Sequence, residues 1–436
     1  MADALLDSLL CGGPQSSGGA NSWLDTARRD AFLALKRDGL PTARSESWKY
    51  TALRALAQRR FVAGDAGAQQ RSIDRATFML PGVDGPRLVF VNGAFRPDLS
   101  DAREIAGLSA VSLAGVIQGD AEPLRFFLAR HWRDAADPFA RLNTALAGDG
   151  PVLRVAAGAH VQVPIHLVHV GAATDQPVAW HARALVELGE GAAARVIEHH
   201  VACGENEHLG NLVAQYALRP GAQLDLVQIQ DAAAGASLIR RSEFDVADEA
   251  SVALHTIELG ARLMRHDLRV HLGGRRASLN SRGVFMVRAR QHADTQLAID
   301  HAARDTSSDV FWRGVADQHG RGVFHGAIRV APGADGADAR LSNKNLLLSP
   351  QAEIDTQPVL EIHADEVQAS HGATVGQLDA LALFYLRSRG LACLEARALL
   401  TFAFCREALS GLATEALLDH LAELLLARLP RMPESP

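Results

Sequence analysis

The sequence predicts a mainly β protein, in which a long stack of short strands lies between helical regions at the two ends. Three observations carry this. A short pattern recurs through the middle of the chain: a turn residue, then alanine, then two β-type residues spaced by two. Amphipathic helical periodicity is scarce in the same stretch. Helix-length apolar stripes with stop signals occur only before and after it.

The recurring pattern fixes the middle of the chain. It stands at Gly158-Ala159-His160-Val161-Gln162-Val163, Gly221-Ala222-Gln223-Leu224-Asp225-Leu226 and Glu249-Ala250-Ser251-Val252-Ala253-Leu254, with looser copies at Ala192 and Ala277. Alanines 159, 192, 222, 250 and 277 are 33, 30, 28 and 27 residues apart. Periods of this length mean stacked units that bury one continuous core. No 10–15-residue helix fits between the turns, so each unit holds strands alone and the architecture expected is a β-helix or solenoid. An antiparallel sandwich is the alternative, with tighter turns every 8–12 residues.

The rest follows in chain order. Three regions are expected: residues 1–150, helical with short strands; 151–376, the strand stack; and 377–436, helical. Residues 12–20, GGPQSSGGA, read as a flexible linker. Ser22 and Asp25 form a capping-box pattern ahead of a helix with Leu24, Ala27, Ala31 and Leu35 on one face, stopped by Gly39 and Pro41. A short helical stretch is expected at Tyr50–Ala57, a strand at Leu88–Asn92 closing in an Asn-Gly turn, and a helix at Pro138–Leu146. After residue 376 come helices at Leu378–Ser388, Leu394–Leu409 and Glu415–Leu429, the last stopped by Pro430. Leu417, Leu421, Leu424 and Leu425 form a stripe that fits either packing within the terminal bundle or a face for a partner.

Composition excludes several functions. With 44 basic against 50 acidic residues the formal charge is −6, without the basic stripe of a nucleic-acid binder. No run reaches the ~18 apolar residues of a membrane span, and MADALLDSLLCGGPQSSGG has no basic start, so neither a membrane protein nor a secretory signal is expected. Cys11, Cys203, Cys393 and Cys405 form no C-x-x-C pair, and reduced thiols in the cytoplasm are the simplest expectation.

Motifs for chemistry are mostly absent. There is no phosphate-binding loop, no H-E-x-x-H and no G-x-S-x-G. A carbohydrate-active enzyme on a β-helix would need paired acids. Asp245, Asp248 and Glu249 are close in sequence, but the last two read as solvated turn residues. Among 18 histidines, His166, His169, His199 and His200 fall in strands. Adjacent strand residues face opposite ways, so His199 and His200 are not expected to share a metal. His371, in ASHGATVG, is set among small residues where the stack meets the helices. Gly372 and Gly376 suggest a bend there, in which the imidazole either ligates iron or zinc or bonds the backbone as a turn residue.

The stretch from Asp338 to Gly390, DARLSNKNLLLSPQAEIDTQPVLEIHADEVQASHGATVGQLDALALFYLRSRG, closely resembles the SufD family of iron–sulfur cluster assembly proteins, and more distantly its paralogue SufB. Glu46–Thr51 (ESWKYT), Leu88–Ser100 (LVFVNGAFRPDLS), Asp305–Gly314 (DTSSDVFWRG) and Gly322–Gly326 (GVFHG) match as well, so the likeness runs through nearly the whole chain in order. It implies a central right-handed parallel β-helix flanked by helical regions. It implies a scaffold subunit without turnover of its own, paired with SufB through the β-helix and docking the SufC ABC-type ATPase through helices around Gly376–Ala408. By the same resemblance, His371 is the candidate ligand of a nascent cluster, facing a cysteine of SufB, and no cofactor is stably held by the isolated chain. Ala369 stands where relatives carry a cysteine two residues before this histidine. Cys203, Cys393 and Cys405 match no motif and read as small buried hydrophobes. A homodimer of the isolated chain would pair two His371 sites without a thiolate.

Overall fold

The computed structural model describes residues 2–18, 21–42, 45–64, 67–119, 121–122, 124–125, 137–412 and 414–429. Two sheets, each of ten strands among these residues, run the length of the molecule. From Pro151–Val155 onward the chain lays strands alternately in one sheet and the other. Each strand pairs in parallel with the strand two further along, in a two-sheeted solenoid of about 8 turns.

The corners explain the recurring alanine. The residue before it has positive φ at Gly158, Gly191, Gly221, Glu249, Arg276 and Gly336, as does Asp305 where Thr306 takes the alanine's place. That left-handed residue turns the chain inward and points its own N–H at the next coil: Gly191 donates to the carbonyl of Pro220, Gly221 to that of Asp248 and Glu249 to that of Arg275, each at 2.8 Å. The residue that follows then faces the core. Ala192, Ala222, Ala250 and Ala277 are fully buried there, where a larger side chain would collide with the coil above. Ladders of inward residues stack between the corners, such as Leu224, Val252 and Leu279. Their burial, at about 25 cal/mol per Å², supplies most of the stabilisation.

The N-terminal region is built onto this stack. Arg87–Val91 pairs in parallel with His166–Val170, so the second sheet begins well before residue 151. Asn92 and Gly93 both take positive φ, and Ala94–Phe95 returns antiparallel, as the Asn-Gly turn requires. Leu108–Ser112 likewise pairs antiparallel with Pro151–Val155. The helix Pro138–Leu146 has Asp137 at its start, whose carboxylate accepts from the N–H of Phe139 and Ala140, with proline in the first turn.

Three local expectations are corrected. The helix Ser22–Asp38 has no capping box: Asn21 precedes it and donates its amide to the Ile117 carbonyl at 2.9 Å, while the Asp25 carboxylate accepts from Ser17. Residues 12–18 are consequently not free linker, since Gln15 N–H also bonds Ala145 O at 3.0 Å. Tyr50–Ala57 shortens to one turn, Arg54–Ala57, after a 3-10 turn at Glu46–Trp48.

The C-terminal helices Ala380–Ser388, Cys393–Arg406 and Glu415–Arg428 follow the expected order; Pro430 lies outside the described residues. Leu417, Leu421 and Leu425 are buried against Ile197, Val227, Ile229 and Ile257 on the outer face of the second sheet, with Leu424 packed beside them. The leucine stripe is therefore a contact within this chain, made to the solenoid. Arg313 fastens the helices near the stack's far end. Its guanidinium lies 3.6 Å from the Phe311 ring centre, 5.4 Å from that of Phe404, and 2.9 Å from the Glu407 carboxylate.

Two predictions follow from this packing. Gly283 sits inside the stack in register with Trp312, and a Cβ there would run into the buried indole. Gly283→Ala should cost about 1–3 kcal/mol in urea denaturation, and an unchanged midpoint would contradict the register. His301 is fully buried between the hydroxyls of Thr306 and Ser308, both at 2.9 Å, and burial lowers its pKa from 6.5 to about 4. The unfolded chain takes up this proton first, so the contribution is complete above pH 6.5 and is lost as pH falls towards 4. His301→Gln should flatten the acid limb of the stability curve by about 1.4 kcal/mol per pH unit across that window; an acid limb as steep as the wild type's would sink the assignment.

Candidate functional site

The solenoid ends without a cap. Its last two strands, Glu353–Ile362 and Gln368–Gly376, each pair on one side only, with Arg321–Val330 and Asp338–Leu346 respectively. Their outer edges leave backbone donors and acceptors free to pair with another chain. Ile362 and Val375 are among the large apolar side chains exposed here.

His371 lies in the middle of the last strand, in register with Leu341. Registered neighbours in a sheet share a face, and Leu341 is buried in the core. His371 therefore projects on the core side of the wall, yet it is exposed because no further coil covers it. Ala369 shares this face two residues earlier. The expected bend is absent: Gly372 and Gly376 belong to regular extended backbone, neither at positive φ. The strand is straight because the ladder to Asp338–Leu346 is unbroken from Gln368 to Gly376.

A polar brace supports this end. Thr356 Oγ1 donates to Asn343 Oδ1 at 2.7 Å, which joins the two sheets through the core. Asn345 Nδ2 donates to the same oxygen at 2.6 Å and to Thr374 O at 3.0 Å. Three hydrogen bonds thus fix the strand that carries His371 relative to its neighbours in a region short of apolar cover.

The helix Ala380–Ser388 leaves directly from this strand. Asp379 caps it by accepting from Leu381 N–H at 2.8 Å and Ala382 N–H at 3.3 Å. None of its residues is buried, and Leu381 and Phe384 are 78% and 70% exposed, with Tyr385 beside them. An apolar cluster at this spacing on one helix is an unpartnered face. The cysteines are reduced and dispersed. Cys405 is buried, which pushes its thiol up to about 12, whereas Cys393 and Cys11 are exposed and Cys203 half-buried. The reading of all three unplaced cysteines as buried hydrophobes thus holds for Cys405 alone. Asp248 and Glu249 serve a corner, Asp248 accepting from Arg275 N–H and Glu249 paired with exposed Arg276.

A second constellation lies inside the solenoid. His199 and His200 do face opposite ways: His199 points outward under the terminal helices and His200 inward. His200 Nε2 lies 2.8 Å from Glu198 Oε1, and Glu198 Oε2 accepts from Tyr216 at 2.8 Å and Arg240 at 2.6 Å. Burial would raise Glu198, but Arg240 and His200 outweigh it and hold its carboxyl well below the usual range. Further along, His266 Nδ1 lies 3.0 Å from Glu258, whose carboxyl burial lifts to about 8 despite a hydrogen bond from Thr295. The adjacent histidines 199 and 200 conceal this cluster, because the pair that shares a face is Glu198 and His200. His169, one coil earlier, is in register with His200. The usable signal was the coil period itself, which places residues 31 apart side by side.

A family model described as "SUF system FeS cluster assembly, SufBD core domain" matches residues 169–404, and one described as "SufBD protein N-terminal region" matches residues 17–167. The chain is 33% identical over 402 residues to the "Iron-sulfur cluster assembly protein SufD" of Escherichia coli, covering 91% of each. It is 30% identical over 426 residues to an "Iron-sulfur cluster assembly SufBD family protein" of Synechocystis, covering 94% of this chain and 92% of that one. A Mycobacterium leprae protein of the same description is 29% identical over 300 residues. With both domains matched in order on a parallel solenoid, the chain belongs to the SufD family of iron–sulfur cluster assembly proteins.

Proposed function

We propose that this chain is a scaffold subunit of the SUF machinery that hydrolyses no ATP itself, pairs with a SufB-type paralogue through the open end of its solenoid, and presents His371 to a nascent cluster. The observation that carries the reading is a core-facing imidazole left exposed on a terminal strand that is paired on one side only. A partner solenoid that adds its own last coil to these edges would enclose His371 at the junction. Iron accepts imidazole as well as thiolate. Among the described residues, His371 belongs to no group of three converging ligands, so a cluster held there takes its other ligands from the partner and leaves when they part. The Fe–S cluster is cargo, transient and not a resident cofactor. The exposed Leu381, Phe384 and Tyr385 face fits a SufC-type ATPase, whose hydrolysis would then act on the helix that continues the His371 strand. Two copies of this chain could pair isologously in isolation, with two imidazoles and no thiolate at the seam. The setting is the cytoplasm; no helix among the described residues is long and apolar enough to cross a membrane.

The test co-expresses the chain with its SufB-type and SufC-type partners and purifies the complex without oxygen. His371→Ala should leave the complex intact while iron and sulfide content and activation of an apoprotein fall at least tenfold. Phe384→Asp should instead release the ATPase and leave the paired solenoids together. Full cluster yield in His371→Ala would overturn the role given to the histidine.

A further inference from the structure

The buried cluster in the solenoid has no part in the reading above and lies far from it. Strand Ala193–Cys203, which carries Glu198 and His200, is six strands from Gln368–Gly376 in the second sheet, roughly 29 Å at the usual strand spacing. We propose that His169, Glu198 and His200 bind one divalent transition-metal ion of the zinc or iron(II) class.

Four observations support this. One ligand atom from each residue lies within 4.8 Å of the other two, and all three side chains are buried. Two imidazoles and a carboxylate are a donor set for zinc or non-haem iron(II). Both ring nitrogens of His169 are buried without any hydrogen-bond partner. A neutral imidazole must carry one donor and one acceptor, and leaving both unpaired in a core is costly. The carboxylate is already oriented. Arg240 and Tyr216 both hold Glu198 Oε2, so Oε1 is turned to His200 and its proton is what an ion would replace. Finally, a cavity of about 20 Å³ borders His169 and His200 and is lined also by Asn206 and His208. It has room for about one water as a fourth ligand.

The present ring positions define the adjustment needed. His169 stacks on His200 with ring centres 4.7 Å apart and planes 12° apart, so the two sets of lone pairs lie in parallel planes. The His169 ring can turn towards the ion without breaking a hydrogen bond, because it makes none, while its stacks on Phe90 and Trp180 loosen. The Arg240 charge opposes the ion, which makes binding weaker than at a site of anionic ligands and favours exchange.

The test uses the full chain stripped with a chelator. Cobalt(II) is titrated under visible absorption, zinc by calorimetry and iron(II) without oxygen. One equivalent should bind with the d–d bands of a nitrogen–oxygen site and raise the thermal midpoint. His169→Phe keeps the ring stack and should lower affinity at least about 100-fold, with His169→Gln as the second variant if the larger ring disturbs folding. His371→Ala should titrate as the wild type does. Uptake of zinc or iron supports the site. No uptake by the wild type, or undiminished uptake by the folded His169 variants, overturns it.

Discussion

The structure depends on one constraint: each coil satisfies its backbone hydrogen bonds only through the coils before and after it. A strand such as Gln223–Asp231 bonds Ala193–Cys203 on one side and Ser251–Glu258 on the other. The corner residues keep that pairing continuous around the turn, so even the backbone of the bends is shared with the next coil. Side-chain choice is subordinate to this arrangement. Small residues are demanded inside the corners, and glycine or a residue tolerant of positive φ just before them. The same constraint dictates where reactivity towards other chains remains, because a stack built this way is satisfied everywhere except at a bare end.

The solenoid was legible because its corner chemistry repeats. Gly221-Ala222 and Glu249-Ala250 looked alike in sequence although glycine and glutamate differ, since both positions need the left-handed bend and both alanines need the same small space. The drift of the period from 33 to 27 residues comes from a register shift between Val161 and Ile165 in the first coil and from unequal loops at the other corners; past that shift the parallel pairing continues. Helices with stop signals, Pro138–Leu146 above all, were legible for equally local reasons. The destination of the leucine stripe was not, because an apolar face records what it needs buried and not against what. Leu417 could have met another helix as well as it meets Ile197 and Val227.

At the candidate sites the sequence was informative only where neighbours are close along the chain. His371 drew attention through the small residues around it, but the bend inferred from Gly372 and Gly376 did not form. An unbroken ladder with Asp338–Leu346 holds those glycines extended, and tertiary pairing outweighs their freedom. Its core-facing direction followed from register with Leu341, which no local pattern reports. The interior group of His169, Glu198, His200 and Arg240 is assembled from three strands across some seventy residues and becomes visible only once the coils are laid in register.

The unequal finish of the two ends has a consequence for assembly. At the start of the stack the sheets close with short antiparallel strands, Ala94–Phe95 and Leu108–Ser112, whereas the far end stops on two full parallel strands. A rod with one sticky end can join a second rod once, tip to tip, and then has no growing point left. Had both ends matched, copies could have added head to tail without limit, as exposed parallel edges do in fibrils. Among the described residues the blunt start offers no full-length parallel edge, which leaves the far end as the place where a further coil would pair.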